Sequence, residues 1–431
     1  MRICLGVLVL LCAVVPQVYG EVLVRWDTDH VPPAEALGVR SLLVPLERTA
    51  VIAEAAQKGY RVFVEVDAAQ IATARVPAVA DGGIVVRGTP TDAQLRRART
   101  ALLRPGGRLL TLEERGKWPH VRLNEVTKRN DVLQVASRSA QPWLENNGAL
   151  VRLAGLATAD ATTWLAHPWT SLTGAGEDEG PALEHYLVAI AEAGSTGASL
   201  VLPLHATLQR ALLQGRPDAR RDWETIRRYL EFYGWDVPRH YEPIASVGVV
   251  TADPLASFEV LNLLVRHNLP FQVLRPTTLT REDVDRLALL VVLDPPAGEP
   301  ANVVQGFEAQ GGTVMRPEVP VVDPNAFALD VRNRLGPERR SVDIWNGITV
   351  LVEPRRDPAD GTVLLSLVNY AHEERPVQLR VRGTFAAVSY ESPEQALMLL
   401  PFTHRHGATE FVVPDLRVGG RVFLRSKGRE D

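Results

Sequence analysis

The stretch VLVRWDTDHVPPAEALGVRSLLVPLERTAVIAEAAQKGYRVFVEV, residues 22–66, decides the fold. It holds three short apolar runs, Val22–Trp26, Ser41–Leu46 and Arg61–Val66, set apart by segments of helix-like composition. Parallel strands need a long crossover, which a helix supplies, so this alternation predicts an α/β protein built on a parallel sheet. The rhythm continues to about Gly234, and five further runs read as strands: Gly83–Arg87, Arg108–Leu112, Val132–Ser137, Leu150–Leu153 and Ser199–Leu204. Eight such units predict a (β/α)8 TIM-type barrel over residues 21–237. A helix over Pro181–Ala193 leads into the eighth strand, and another over Asp222–Tyr233 leaves the barrel.

Upstream, Arg2 followed by the apolar run Leu5–Val15, Pro16 and a small residue at Gly20 makes residues 1–20 a cleavable secretory signal. A lipoprotein anchor would want small residues before Cys12, which follows Leu10 and Leu11, and an uncleaved membrane anchor is the other alternative. The expectation is therefore an exported protein, periplasmic or extracellular, with no integral membrane segment after signal cleavage. The chain's two cysteines, Cys4 and Cys12, both fall in that signal, so disulfides, Cys-ligated zinc and a cysteine nucleophile are excluded from the mature protein. The formal net charge of −4, without a basic stripe, argues against a nucleic-acid partner.

Downstream, Pro238–Pro243 reads as a linker, after which a second alternation begins. Ser246–Thr251, Phe271–Leu274, Ala288–Leu293 and Thr313–Arg316 read as strands, with helices over Ser257–Asn268, Thr280–Leu287 and Val303–Gln310. This predicts a small doubly wound, flavodoxin-like α/β domain over residues 244–322. From about Ser341 helical periodicity disappears, and Ile348–Val352, Thr362–Asn369, Val377–Arg382, Ala386–Tyr390 and Arg421–Leu424 predict a C-terminal β-sandwich over residues 341–425.

The order barrel, small α/β domain, β domain resembles the three-domain glycoside hydrolases of the beta-galactosidase type. The likeness rests on the strand Ser246–Thr251, the run Leu289–Asp294, the stretch Phe307–Met315 with its Gly311-Gly312 pair, and Leu364–Tyr370 followed by Pro393 and Pro414. It implies a carbohydrate partner, no cofactor, and a glutamine-amidotransferase-like middle domain that mediates contacts between copies without amidotransferase chemistry. That family places an Asn-Glu acid/base after strand four and a nucleophilic Glu at the end of strand seven. Here strand four ends Val86-Arg87-Gly88 and the expected strand seven runs Arg152-Leu153-Ala154-Gly155, with no carboxylate in either place. Asn124-Glu125, the one Asn-Glu pair in the chain, precedes the expected sixth strand.

Barrel sites gather at the C-terminal ends of strands, so Asp27, Asp29, Glu47, Glu65, Asp67, Glu113 and Glu114 are the carboxylates to consider. Glycoside cleavage needs a protonated and an ionised carboxyl, and Glu65 with Glu113 is the candidate catalytic pair. Charges inside buried strands need partners, which predicts an ionic cluster of Arg25, Glu65, Arg87 and Arg152, serving either as a structural network or as a wall of the site. Candidate sugar-binding residues are Asp27, the loop residues Arg138, Gln141, Trp143 and Asn146, then Trp169, and His205 at the end of strand eight. An ordinary polar loop and a hydrogen-bonded structural His explain the same residues without a ligand. No phosphate loop, metalloprotease motif or nucleophile elbow is present, and no metal site is expected.

Overall fold

The computed structural model describes residues 22–88, 90–111, 113–114, 126–129, 132–135, 147–157, 164–166, 180–234, 241–347, 349–371 and 373–426. The first part of the chain runs β1 (Val22–Arg25), α1 (Ala34–Leu37), β2 (Ser41–Pro45), α2 (Thr49–Gln57), β3 (Arg61–Asp67), β4 (Gly83–Arg87), α3 (Asp92–Arg97), β5 (Arg108–Thr111) and β6 (Glu113–Glu114). It continues through a hairpin of β7 (Val126–Arg129) and β8 (Val132–Val135), then α4 (Asn147–Ala157), β9 (Trp164–Ala166), α5 (Leu183–Thr196), β10 (Ser199–Pro203), α6 (Ala206–Leu213) and α7 (Pro217–Phe232).

The main sheet has the order β5-β4-β3-β2-β1-β10-β9-β6, and its pairings are parallel. β5 and β6 stand one residue apart in the chain yet at opposite ends of that order. A single passage of backbone therefore pairs with β4 on one side and β9 on the other, bringing the two edges together into a nearly closed, TIM-type barrel. Counting that passage once gives seven staves from the eight strands of the sheet.

Side-chain parity supports the closure. Leu23, Leu43, Phe63, Val85, Leu110, Trp164 and Val201, one from each stave, form a separate cluster that fills the barrel interior. Their neighbours of opposite parity, among them Val24, Leu42, Val64, Val86, Leu165 and Leu200, belong to the larger core under the helices. With both faces buried the strands read as nearly continuous apolar runs, which is why they are legible in the sequence.

Two expected strands are not staves. Residues 132–135 form β8, which pairs antiparallel with β7 in a two-stranded sheet of its own. Leu150–Leu153 lies inside α4, whose buried Ala149, Leu150 and Leu153 recur at helical spacing. A short apolar run does not by itself separate strand from helix, whereas the three-residue stave β9 is too brief to show a period.

The second part comprises β11 (Glu242–Pro243), β12 (Val247–Val250), α8 (Pro254–Arg266), β13 (Phe271–Leu274), α9 (Arg281–Val284), β14 (Leu289–Val292), α10 (Glu299–Ala309), β15 (Thr313–Met315) and α11 (Pro324–Arg339). β12 to β15 form a four-stranded parallel sheet in the order β13-β12-β14-β15. α11 carries no counterpart among the helices read from the sequence. α4 packs against α8 and β13, so the barrel's helical layer continues into this unit.

The last part comprises β16 (Val342–Ile344), β17 (Val350–Arg356), β18 (Val363–Asn369), β19 (Arg375–Arg382), β20 (Ala387–Glu391), β21 (Met398–Leu399), β22 (Phe402–Arg405), β23 (Ala408–Leu416) and β24 (Gly419–Arg425). They make antiparallel sheets in the orders β11-β17-β18-β24-β20-β21 and β16-β19-β23-β22. Val352, Leu365 and Val422 from the first meet Leu379, Phe411 and Val413 from the second in one core, as in a sandwich.

Polar side chains tie the parts together. Arg152 on α4 donates to both carboxylate oxygens of Glu353 on β17 at 2.6 Å, and its guanidinium lies 4.8 Å from the ring centre of Phe271 on β13. Arg152 thus joins barrel, middle sheet and sandwich and takes no part in the barrel's ionic cluster, contrary to the expectation from its sequence setting. Tyr370 donates its hydroxyl to buried Glu192 on α5 at 2.5 Å, and the Asn147 amide donates to the other carboxylate oxygen.

No helix among the described residues is long and apolar enough to cross a membrane.

Candidate functional site at the barrel mouth

Two residues beyond Leu23, Phe63 and Val85 stand Arg25, Glu65 and Arg87. The side-chain period of a strand is two, so these three share the interior face with the apolar layer and lie one layer nearer the C-terminal mouth. Asp27 and Asp67 follow at the next step outward. The polar end of the barrel is thereby written into the same alternation that builds its core.

The three interior charges and the two aspartates form one network. Arg25 Nε donates to Glu65 Oε2 at 2.6 Å and its Nη2 to Oε1 at 3.3 Å, while Nη1 donates to Asp27 Oδ2 at 2.5 Å. Arg87 approaches Glu65 Oε1 at 3.4 Å and Asp67 Oδ2 at 3.8 Å. Exposure rises along the network from 5% for the Glu65 side chain to 34% for Asp27 and 46% for Arg87, so its inner end is dry and its outer end faces solvent. Two guanidiniums hold Glu65 in place, which offsets the cost of burying its charge.

Burial pushes the Asp27 carboxyl above its ordinary value, and the neighbouring Glu65 charge adds to the shift. Arg25, Arg48 and Arg87 pull the other way without reversing it. For Arg25, burial alone would lower the pKa, yet the hydrogen bond and charge of Glu65, with Asp27 and Glu47 beyond, raise it. Further out, Arg48 pairs with Asp29 at 2.6 Å, and Glu47 accepts from Gln70 Nε2 at 3.1 Å.

The loop after β1 is held by a residue that sequence reading passes over. Gln209 on α6 is fully buried; its Oε1 accepts from the backbone N–H groups of Asp27 and Thr28, both at 3.0 Å, and its Nε2 donates to Leu204 O at 2.6 Å. The only hint in the sequence is an uncharged polar residue directly after Leu208 in an amphipathic helix. His205 caps the N-terminus of α6: its Nδ1 accepts from Thr207 N–H at 3.3 Å while its backbone N–H donates to Tyr186 Oη at 3.0 Å. It also lines a cavity of about 210 Å³ together with Tyr186, Arg216 and Asp222.

Glu113 is placed on β6 by its backbone pairing with Leu165. Arg138, Gln141, Trp143, Asn146 and Trp169 lie outside the described residues. Of the sequence-predicted set, the structure thus brings Asp27 and Glu65 together, through a shared arginine. Among the described residues no group of three or more His, Cys, Asp or Glu side chains could hold a metal ion.

At the C-terminal edge of the middle sheet a carboxylate of the chain itself takes up the free N–H groups ahead of α8. Asp294, just past β14, accepts from Thr251 Oγ1 at 2.9 Å and from the N–H groups of Ala252 and Asp253 at 2.7 and 3.2 Å. Burial would raise this carboxyl, but those three donors hold it below its ordinary value.

Compared by sequence, the chain matches no protein-family model and none of the curated proteins. Compared by structure, it is similar to alpha-L-fucosidase isoenzyme 2 from Paenibacillus thiaminolyticus, with a TM-score of 0.60 and 11% identity over 95% of this chain and 100% of that one. A beta-galactosidase from Rahnella sp. R3 aligns with a TM-score of 0.38 and 9% identity over 85% of this chain and 67% of that one. The likeness to the fucosidase is one of fold.

Proposed function

We propose that this protein is exported and takes an oligosaccharide or polysaccharide at the C-terminal mouth of its barrel. The observation that carries this is the graded network Arg25–Glu65–Arg87 with Asp27 and Asp67, which turns the open end of an otherwise apolar barrel into a wall of fixed hydrogen-bonding groups. Such a wall suits the hydroxyls of a sugar, and the glycoside-hydrolase-like fold supports that ligand class. Binding ranks ahead of cleavage, because Glu65 is gripped by two guanidiniums and both aspartates are already paired. Self-association through the middle sheet belongs to the same reading.

One observation favours hydrolysis as the second reading. Burial, with the neighbouring Glu65 charge, pushes the Asp27 carboxyl above its ordinary value, as a group that must hand a proton to a glycosidic oxygen requires. Asp27 would then donate the proton, with Glu65 or Glu113 as the second carboxyl of the pair.

The deciding experiment incubates the mature protein with a glycan panel and follows binding and reducing-end release together. Binding without release, weakened by Arg87→Ala and Asp27→Asn, supports the leading reading. Release abolished by Asp27→Asn together with Glu65→Gln or Glu113→Gln establishes the second. Neither binding nor release with any glycan sinks both.

A further inference from the structure

A second cavity lies far from the barrel network in the chain, where the ends of α8 and α11 meet the start of the sandwich. It encloses about 380 Å³, within the range of about 300–1,000 Å³ that small ligands occupy. Its wall includes Arg332, Arg340 and Trp345, and His267 with Asn268. These come from three separate stretches of chain, so the site exists only in the folded protein.

Charge there is out of balance. Arg340 pairs with buried Asp343 at 2.6 Å, and Arg332 and Arg380 reach the same carboxylate at 3.7 and 3.8 Å. Glu338 approaches Arg380 at 3.7 Å from the solvent side. Three guanidiniums against two carboxylates leave one positive charge over. Arg332 has the most exposed side chain of the three, at 34%, and its nearest carboxylate is shared with two competitors. A guanidinium in this position offers a flat fork of donors to an anionic oxygen pair.

The same cavity is lined by Trp345, 49% exposed. A tryptophan usually buries its large apolar face, so one held half in solvent on a cavity wall needs a cause. The loop that carries it is pinned: Asn346 donates its amide to Pro376 O at 3.0 Å and accepts from Gln378 N–H at 2.7 Å, and Trp345 N–H donates to Gln378 O at 3.2 Å. The indole is thus presented by a fixed backbone, without the ordering cost that a mobile loop would add on binding.

We propose that this cavity is a second carbohydrate site, specific for an acidic sugar: the uronate carboxylate sits on Arg332 and the apolar face of the sugar ring stacks on Trp345. The proposal stands apart from the barrel mouth and does not depend on the reading given for it. The test is calorimetric titration of the whole mature chain with a uronate tetrasaccharide, its carboxyl-reduced neutral counterpart, and inorganic phosphate. The acidic sugar binds the wild type, and Arg332→Gln and Trp345→Ala each weaken it by about tenfold or more. The neutral sugar and inorganic phosphate bind at least about tenfold more weakly than the uronate, since each satisfies only half of the site. Both side chains are partly exposed, so both variants should melt at the wild-type temperature. Trp345→Phe gives an independent readout, because the change in tryptophan emission on titrating the wild type disappears in it. Equal affinity for the neutral sugar, equal affinity for phosphate, no binding of the uronate, or affinity untouched by both substitutions overturns the proposal.

Discussion

Glu65→Gln is the perturbation most directly tied to the barrel mouth. The Glu65 side chain is 5% exposed and takes hydrogen bonds at 2.6 and 3.3 Å from Arg25, with Arg87 at 3.4 Å. Removing one partner of a buried ion pair costs about 3–5 kcal/mol, because the other charge is left without compensation. The full figure does not apply here. Arg25 keeps Asp27 at 2.5 Å, and Arg87, nearly half exposed, keeps Asp67 at 3.8 Å and its water. The expected loss is therefore about 2–3 kcal/mol, which for a urea m-value of about 2–3 kcal/mol/M lowers the midpoint by about 1 M at unchanged m. Far-UV circular dichroism in urea measures it. The double variant Arg25→Met with Glu65→Leu removes the buried charges together and should return to within about 1 kcal/mol of wild type, since Asp27 can rehydrate at the open end. A single variant with the wild-type midpoint, or a double variant no better than the single one, would refute the picture of a dry inner ion pair whose cost lies in the unpaired charge.

Two further outcomes follow from contacts outside the mouth. Tyr370→Phe removes a donor from buried Glu192 and should cost about 1–3 kcal/mol, read as a lowered urea midpoint and faster proteolysis between sandwich and barrel. Asp294→Ala removes the acceptor for two backbone N–H groups and the Thr251 hydroxyl at the start of α8, at a cost of about 1–2 kcal/mol near pH 7. Because the folded protein holds the Asp294 carboxyl below its unfolded value of about 3.9, its contribution is complete above that pH and is lost as pH falls through the lower folded value. The stability gap between wild type and this variant should accordingly narrow on acidification below about pH 4, and a gap that stays constant to pH 2 would contradict the assignment.

Local pattern and tertiary structure divide the protein in an instructive way. Strands buried on both faces, such as Leu42–Val44 and Val62–Val64, announce themselves because their residues are apolar in unbroken runs, and the same holds for β12 and β14 in the middle sheet. The charges Arg25, Glu65 and Arg87 stand out for the converse reason, since an ion inside such a strand needs a partner somewhere. That much is local and belongs to the sequence by itself: the parallel α/β plan, the change to β structure near Ser341, and the existence of an ionic cluster. Which residue pairs with which is not local. Arg152 looked like a member of the cluster until α4 replaced the expected seventh strand and carried it to Glu353, 201 positions away in the chain. The stave β9, three residues long, shows no periodicity of its own and becomes a strand only because β10 and β6 flank it. Gln209 is an unremarked polar residue until folding lays it under the backbone of Asp27. Closure of the barrel, the holder of each charge and the cavity beside Trp345 depend on contacts between distant segments, whose free energy no periodicity within one segment records. Tertiary structure alone decided them.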